Sequence, residues 1–235
     1  MKGIFGNHLL IEERKFIHSL IFPGCFVLVL FAIKLVEDLE GYSFVRYGII
    51  PHSKFGFMHI FTAPLVHKDW AHLFGNSTSI LILGSCLFFF YSKAAYHIFF
   101  TIWVLAGIGL WIGGREVYHI GASGIVYGMV VFLILGSIIR RNKPLAAISF
   151  LVVLFYGSFI WGMLPLLPNL PYSWEAHLWG ALSGVAATFL FKDVPPSGVF
   201  KEEVYSFDNE EEVQDSNEER YWEIPPNDTN NEEDN

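Results

Sequence analysis

Ser123 lies in the run Gly121-Ala122-Ser123-Gly124, where one apolar stretch gives way to another of membrane length, and His177 opens the last such stretch more than fifty residues later. A hydroxyl and an imidazole are costly to hold at membrane depth, and polar side chains there commonly carry function. Together these two types make a nucleophile and a general base. The imidazole takes the serine proton as the oxygen attacks a carbonyl, then returns it to the leaving group. No Asp or Glu in the neighbouring stretches has a spacing that serves the histidine, because Glu175, two residues before it, faces another side of a helix. The pattern therefore favours a Ser–His dyad over a triad. It is not the nucleophile elbow of α/β-hydrolases, which needs Gly-x-Ser-x-Gly after a strand; here Ile125 follows Gly124 in a helical context. Without chemistry, Ser123 reads as an N-cap or as one more small residue at a helix contact.

A tetrahedral intermediate needs hydrogen-bond donors. The Ser123 backbone N–H, at a helix start, is one, since the first amides of a helix have no partner inside it and the dipole favours negative charge. The run Trp70-Ala71-His72-Leu73-Phe74-Gly75-Asn76-Ser77 offers two more, with His72 and Asn76 four apart on one helical face. The same pair also fits ordinary interhelical hydrogen bonding. His67 stands five before His72, at a loop-to-helix junction. No carboxylate or cysteine joins His67, His72 and His177 at ligand spacing, so neither a metal site nor a cofactor is expected.

Small residues supply a way to bring the pair together. Gly124 and Gly128 form one small-xxx-small face, and Gly180 and Gly184, extended by Ala187, form another. Packing of these faces makes Ser123 and His177 neighbours. Tyr127, one turn after Ser123, is placed to pack on the imidazole and hold its rotamer.

The elements that must carry these residues are apolar. Of 235 residues 53% are hydrophobic, including 23 phenylalanines, and the mean hydropathy is +0.42. A water-soluble domain of this size does not bury that much apolar side chain. Six apolar segments, near 16–34, 71–91, 95–114, 118–139, 145–167 and 175–191, are each read as a transmembrane helix. The expected fold is an all-α polytopic membrane protein, a bundle of six transmembrane helices. Between the first two, residues 35–70 carry Phe, Tyr and Ile among isolated charges, which predicts a semi-embedded loop packed on the bundle.

The net charge of −8 hides two regions of opposite sign. Residues 1–200 hold 13 basic and 9 acidic residues, whereas 201–235 hold 2 and 14. We divide the chain into a membrane domain, 1–192, and an acidic, disordered tail, 193–235. No basic patch with interleaved aromatics points to nucleic acid. Cys25 and Cys86 fall inside apolar segments and read as small hydrophobes. The first segment runs on into Lys34 without a small-x-small cleavage site, so it is read as a retained span. With six spans, Arg14/Lys15, Lys93, Arg140/Arg141/Lys143 and Lys192 all share one side, which places both termini in the cytoplasm.

The pieces His67-x4-His72-x3-Asn76, Gly121-Ala122-Ser123-Gly124 with Tyr127, and Ala176-His177-x2-Gly180-x3-Gly184 occur in this order at the starts of three apolar segments. In this the chain resembles the rhomboid intramembrane serine proteases over roughly residues 15–192. The resemblance implies Ser123 as nucleophile and His177 as base, with His72 and Asn76 helping to form the oxyanion hole. It also implies Tyr127 stacked on the histidine and His67 as structural support for the first loop. It implies cleavage of transmembrane protein substrates near the extracytoplasmic face, often after a small residue, without a metal, in contact with membrane lipids. The membrane is expected to be the bacterial inner membrane, and the segment 164–174, with Pro165, Pro168 and Pro171, is expected to gate access. Two departures stand in the first loop: Met58-His59 where many members have Trp-Arg, and Ala63 where some have a further histidine. Neither supplies a proposed catalytic atom, so they bear on loop anchoring and substrate preference.

The competing reading is a non-catalytic membrane chaperone or binding protein on the same scaffold. A transporter fits poorly, because the spans lack paired acidic residues and the two halves lack matching broken helices.

Overall fold

A computed structural model describes residues 2–164 and 173–196, within the unit Met1–Val199. The tail beyond residue 196 and residues 165–172 of the expected gate lie outside the described residues. The secondary structure is helical: α1 (Lys2–Glu40), α2 (Lys54–Met58), α3 (Trp70–Ser79), α4 (Ser85–Phe90), α5 (Ala95–Gly113), α6 (Ser123–Arg140), α7 (Lys143–Tyr156) and α8 (Trp174–Leu190). A π turn over Ile80–Gly84 joins α3 to α4 as one long rod. Gly84 in that turn lets α1 approach, since a methyl group there would lie 2.9 Å from the ring of Pro23.

The count of six spans is corrected. Among the described residues four helices are long and apolar enough to cross a membrane: Glu13–Glu40, Trp70–Phe90, Ala95–Gly113 and Ser123–Arg140. Hydropathy read along 145–167 runs past the end of an α-helix. The α7 helix stops at Tyr156 after 14 residues, about 21 Å at 1.5 Å per residue, well short of a hydrocarbon core of about 30 Å. Beyond it the chain tightens to a 3₁₀ stretch over Gly157–Met163. The last helix, α8, has 17 residues, about 25 Å, and carries Glu175 and His177 in its first turns. What remains is an all-α polytopic membrane protein in which, among the described residues, four helices are long and apolar enough to span, and the shorter α7 and α8 pack against them.

Core side chains of the rod, α5 and α6 meet at Leu73, Ile80, Leu83, Leu87, Ile98, Ile102, Met129 and Phe132, all fully buried. The opposite faces expose Leu28, Val29, Ile112, Leu154, Phe155 and Leu190, an apolar exterior suited to lipid and not to water. The loop between α1 and α3 is folded onto this core. Ile49, Ile60, Ala63 and Val66 are buried, Trp103 Nε1 donates to the Ile60 carbonyl at 2.7 Å, and Trp111 Nε1 donates to that of Ser53 at 2.8 Å.

Glycine decides how α8 sits. A methyl group on Gly180 would overlap the Gly124 carbonyl oxygen, and one on Gly184 would overlap that of Gly128. The residue pairs 124/180 and 128/184 keep the same order along both helices, so α6 and α8 run parallel with their N-termini at one end. On the other flank the Trp179 ring fills the space over Gly109 and Gly113 of α5. At the far end Arg140 of α6 donates to the carbonyls of Phe191 at 2.5 Å and Val194 at 3.1 Å. A cation there satisfies the carbonyls that the end of α8 leaves without a partner.

Candidate active site

The start of α6 is built from a turn that only glycine opens. Gly121 has φ of +102°, a region that L side chains rarely adopt. A methyl group there would also lie 2.5 Å from His72 Cε1, 2.8 Å from His72 Nε2 and 3.5 Å from Asn76 Nδ2. The bare backbone two residues before Ser123 thus lies against both donors of α3. The turn is anchored to the first loop, with the Gly121 N–H donating to the Ala63 carbonyl at 2.9 Å. Next, Ala122 serves as the N-cap residue but makes no side-chain cap, and Ser123 is the first residue of α6.

On α8, Ser173 caps the helix by accepting the Ala176 N–H at 3.1 Å. His177, buried at the end of the first turn, lies flat against Tyr127 of α6: the ring centroids are 4.2 Å apart and the planes differ by 9°. Its Nδ1 is 2.9 Å from the Gly162 carbonyl oxygen. A carbonyl only accepts, so Nδ1 carries the proton and, in the neutral ring, Nε2 carries the lone pair. That is the tautomer a general base acting through Nε2 requires. The residue before it, Ala176, has its carbonyl oxygen 3.2 Å from where a Gly124 methyl would be. The residues flanking Ser123 and His177 are therefore in contact.

Asn76 is buried, and its Nδ2 has no protein hydrogen-bond partner among the described residues. An orphaned buried donor costs about 1–3 kcal/mol, and such groups call for an explanation of their own. His72 meets His67 edge to face, with ring centroids 5.1 Å apart. His67 is buried, and neither of its ring nitrogens makes a hydrogen bond of normal geometry. Burial, and then the neighbouring His72, push its pKa down to about 4, a loose approach by the Leu65 carbonyl offsetting part of this. At neutral pH it is an uncharged ring packed behind His72.

The match to known proteins covers this whole region. A model of the Rhomboid domain family matches residues 54–193, well over half of the chain. The chain belongs to the rhomboid family. This rhomboid protein is also 33% identical over 176 residues to an uncharacterized protein of Mycobacterium tuberculosis and to one of Mycobacterium bovis, covering 70% of this chain and 72% of each relative. An uncharacterized protein of Mycobacterium leprae is 30% identical over 173 residues, 70% of this chain and 68% of its own.

Two features of the rhomboid site are absent from the sequence motifs. One is Gly162, whose carbonyl orients His177. A methyl group there would overlap the Tyr127 hydroxyl and lie 3.2 Å from His177 Nδ1. Only a residue without a side chain lets that carbonyl come close, and Gly-Met at 162–163 gives no local sign of it. With His177 as a general base, Gly162→Ala should displace the imidazole and lower kcat by about 10²-fold, the scale of a 1 Å misplacement. The overlap with the buried Tyr127 hydroxyl should lower the melting temperature as well. Steady-state assays beside a thermal melt check this. The other is a buried polar cluster around Glu175, considered below.

Proposed function

We propose that this chain is an intramembrane serine endopeptidase that hydrolyses peptide bonds of transmembrane protein substrates near the extracytoplasmic face. Ser123 is the nucleophile and His177 the general base. The observation that carries the proposal is the orientation of His177, whose ring is stacked on Tyr127 and whose Nδ1–H donates a hydrogen bond to the Gly162 carbonyl.

In this reading the Ser123 oxygen attacks the scissile carbonyl as its proton passes to His177 Nε2. The oxyanion accepts hydrogen bonds from the Ser123 backbone N–H, Asn76 Nδ2 and the His72 ring. His177 then protonates the leaving amine, and water hydrolyses the acyl-enzyme by the same route in reverse. The Gly162 carbonyl takes the place an aspartate has in a triad: it holds the tautomer but adds no charge to stabilise the imidazolium. The unpartnered Asn76 amide is explained as a donor kept for the oxyanion. Asn76→Ala should then lower kcat by about 10²–10³-fold, the effect of removing one oxyanion donor, at nearly constant KM. A KM rise at constant kcat would instead place Asn76 in ground-state binding.

The basic clusters at Arg14/Lys15, Lys93 and Arg140/Arg141/Lys143 support an orientation with both termini cytoplasmic, and the mycobacterial relatives support a bacterial inner membrane. On that basis residues 1–192 are the protease domain and 193–235 an acidic cytoplasmic tail. The test is labelling of purified protein with a fluorophosphonate probe, located by mass spectrometry. Incorporation at Ser123 that is lost in His177→Ala supports the dyad. Failure to label, with no cleavage of a panel of single-span substrates, rejects it in favour of a non-catalytic client-binding protein.

A further inference from the structure

A second group of polar side chains sits at the same end of the bundle, and the proposed chemistry does not use it. Glu175, in the first turn of α8, is buried and forms an ion pair with Arg115 of the α5–α6 loop. Arg115 Nε contacts one carboxylate oxygen, and Nη2 lies 3.2 Å from the other. His119, farther along that loop, is buried as well. Its Nε2 lies 2.9 Å from the Arg115 carbonyl, and its Nδ1 lies 2.7 Å from Ser173 Oγ. Its backbone pairs in both directions with Ile49 of the first loop, each bond 2.9 Å long.

The hydrogen-bond directions are fixed by the acceptors. The Arg115 carbonyl can only accept, so His119 Nε2 bears the proton and Nδ1 accepts from the Ser173 hydroxyl. The 3.4 Å approach of that hydroxyl to Glu175 Oε2 is the longer of its two options. Ser173 in turn accepts the Ala176 N–H. Burial holds the His119 pKa below its ordinary value, which keeps the ring in this neutral state. The Glu175 carboxylate faces the Arg115 guanidinium and the helix N-terminus, both of which favour its charge. The chain of contacts thus begins four residues before Ser123 and ends two residues before His177.

We propose that His119, Ser173, Glu175 and Arg115 form a positioning relay that sets the first turn of α8, and with it His177, against the start of α6. The relay touches no reacting atom and rests on the dyad assigned above. Its members tie together three segments far apart in sequence: the first loop, the α5–α6 loop and α8. Loss of one link lets α8 shift along or rotate about its glycine contact with α6, so the effect falls on the chemical step and not on substrate binding.

The test uses the full-length protein in detergent or liposomes, with the rate of fluorophosphonate labelling at Ser123 measured alongside kcat and KM for a single-span substrate. His119→Phe keeps the bulk and removes both hydrogen bonds. It should lower the labelling rate and kcat about tenfold, within the range that small misplacements cause, with KM unchanged. His119→Gln, whose amide can donate to the Arg115 carbonyl and accept from Ser173, should restore both rates to within about twofold of wild type. Equal rates for His119→Phe, His119→Gln and wild type would overturn the relay while leaving the dyad intact. If His119→Phe does not fold, Glu175→Gln, isosteric but uncharged, decides: an unchanged kcat overturns the relay. A wild-type protein that neither labels nor cleaves overturns the dyad itself, and the relay with it.

Discussion

Ser123→Ala should lower cleavage of a transmembrane substrate by about four orders of magnitude or more, the scale of removing a nucleophile from a serine-protease site. It should also abolish fluorophosphonate incorporation and leave the melting temperature within about a degree of wild type, because a partly buried serine is exchanged for alanine at a helix start. His177→Ala should cost nearly as much. The double variant should be no worse than either, since the two groups act as one unit and their effects do not add. The rate should also fall in acid, because a protonated imidazole cannot accept the serine proton. Burial pushes the His177 pKa down to about 4, so the fall should centre there. A rate unchanged well below pH 4 with the fold intact would rule out histidine as base. Additive losses in the double variant would mean that the two residues act in separate steps.

The helix starts and the family were legible in the sequence because they depend on local chemistry. The turn at Gly121 leads directly into α6 at Ser123, and α3 begins at Trp70, at the head of the run that carries His72 and Asn76; Asp69 caps it by accepting the His72 N–H at 2.8 Å. The number of spans was not legible in that way. Apolar residues continue through Gly157–Met163, and hydropathy does not register that the chain has left the α-helix there. The contacts that hold the site were hidden for a different reason. His119 and Ser173 are 54 positions apart, Arg115 and Glu175 are 60 apart, and His177 reaches a backbone carbonyl 15 residues before it. No periodicity relates such positions, and a carbonyl acceptor has no residue type to betray it. The spacing of Glu175 from His177 says nothing of its pairing with Arg115.

Gly180→Val should separate α6 from α8 and cost the protein both stability and activity. A methyl group at this position already overlaps the Gly124 carbonyl oxygen and lies 2.8 Å from Gly124 C and Cα, and backbone atoms cannot turn aside as a flexible side chain can. Forcing extra bulk into a packed contact costs typically about 1–3 kcal/mol. Here the obstruction is the helix that begins with Ser123, so relief requires the two helices to part. That movement carries His177 away from the α6 start and off Tyr127, and the rate should fall at least about 10²-fold. Gly24→Ala in α1 is the control, because nothing lies within 4 Å of a methyl group there, and alanine is the better helix former by about 1 kcal/mol. It should leave activity unchanged and stability equal or higher. Thermal melts and fluorophosphonate labelling of the two variants separate a specific glycine contact from a general intolerance of added methyl groups. If Gly180→Val labels at the wild-type rate, the α6–α8 contact does not set the geometry of the dyad, and Ser123 and His177 must be held in register by the loop contacts alone.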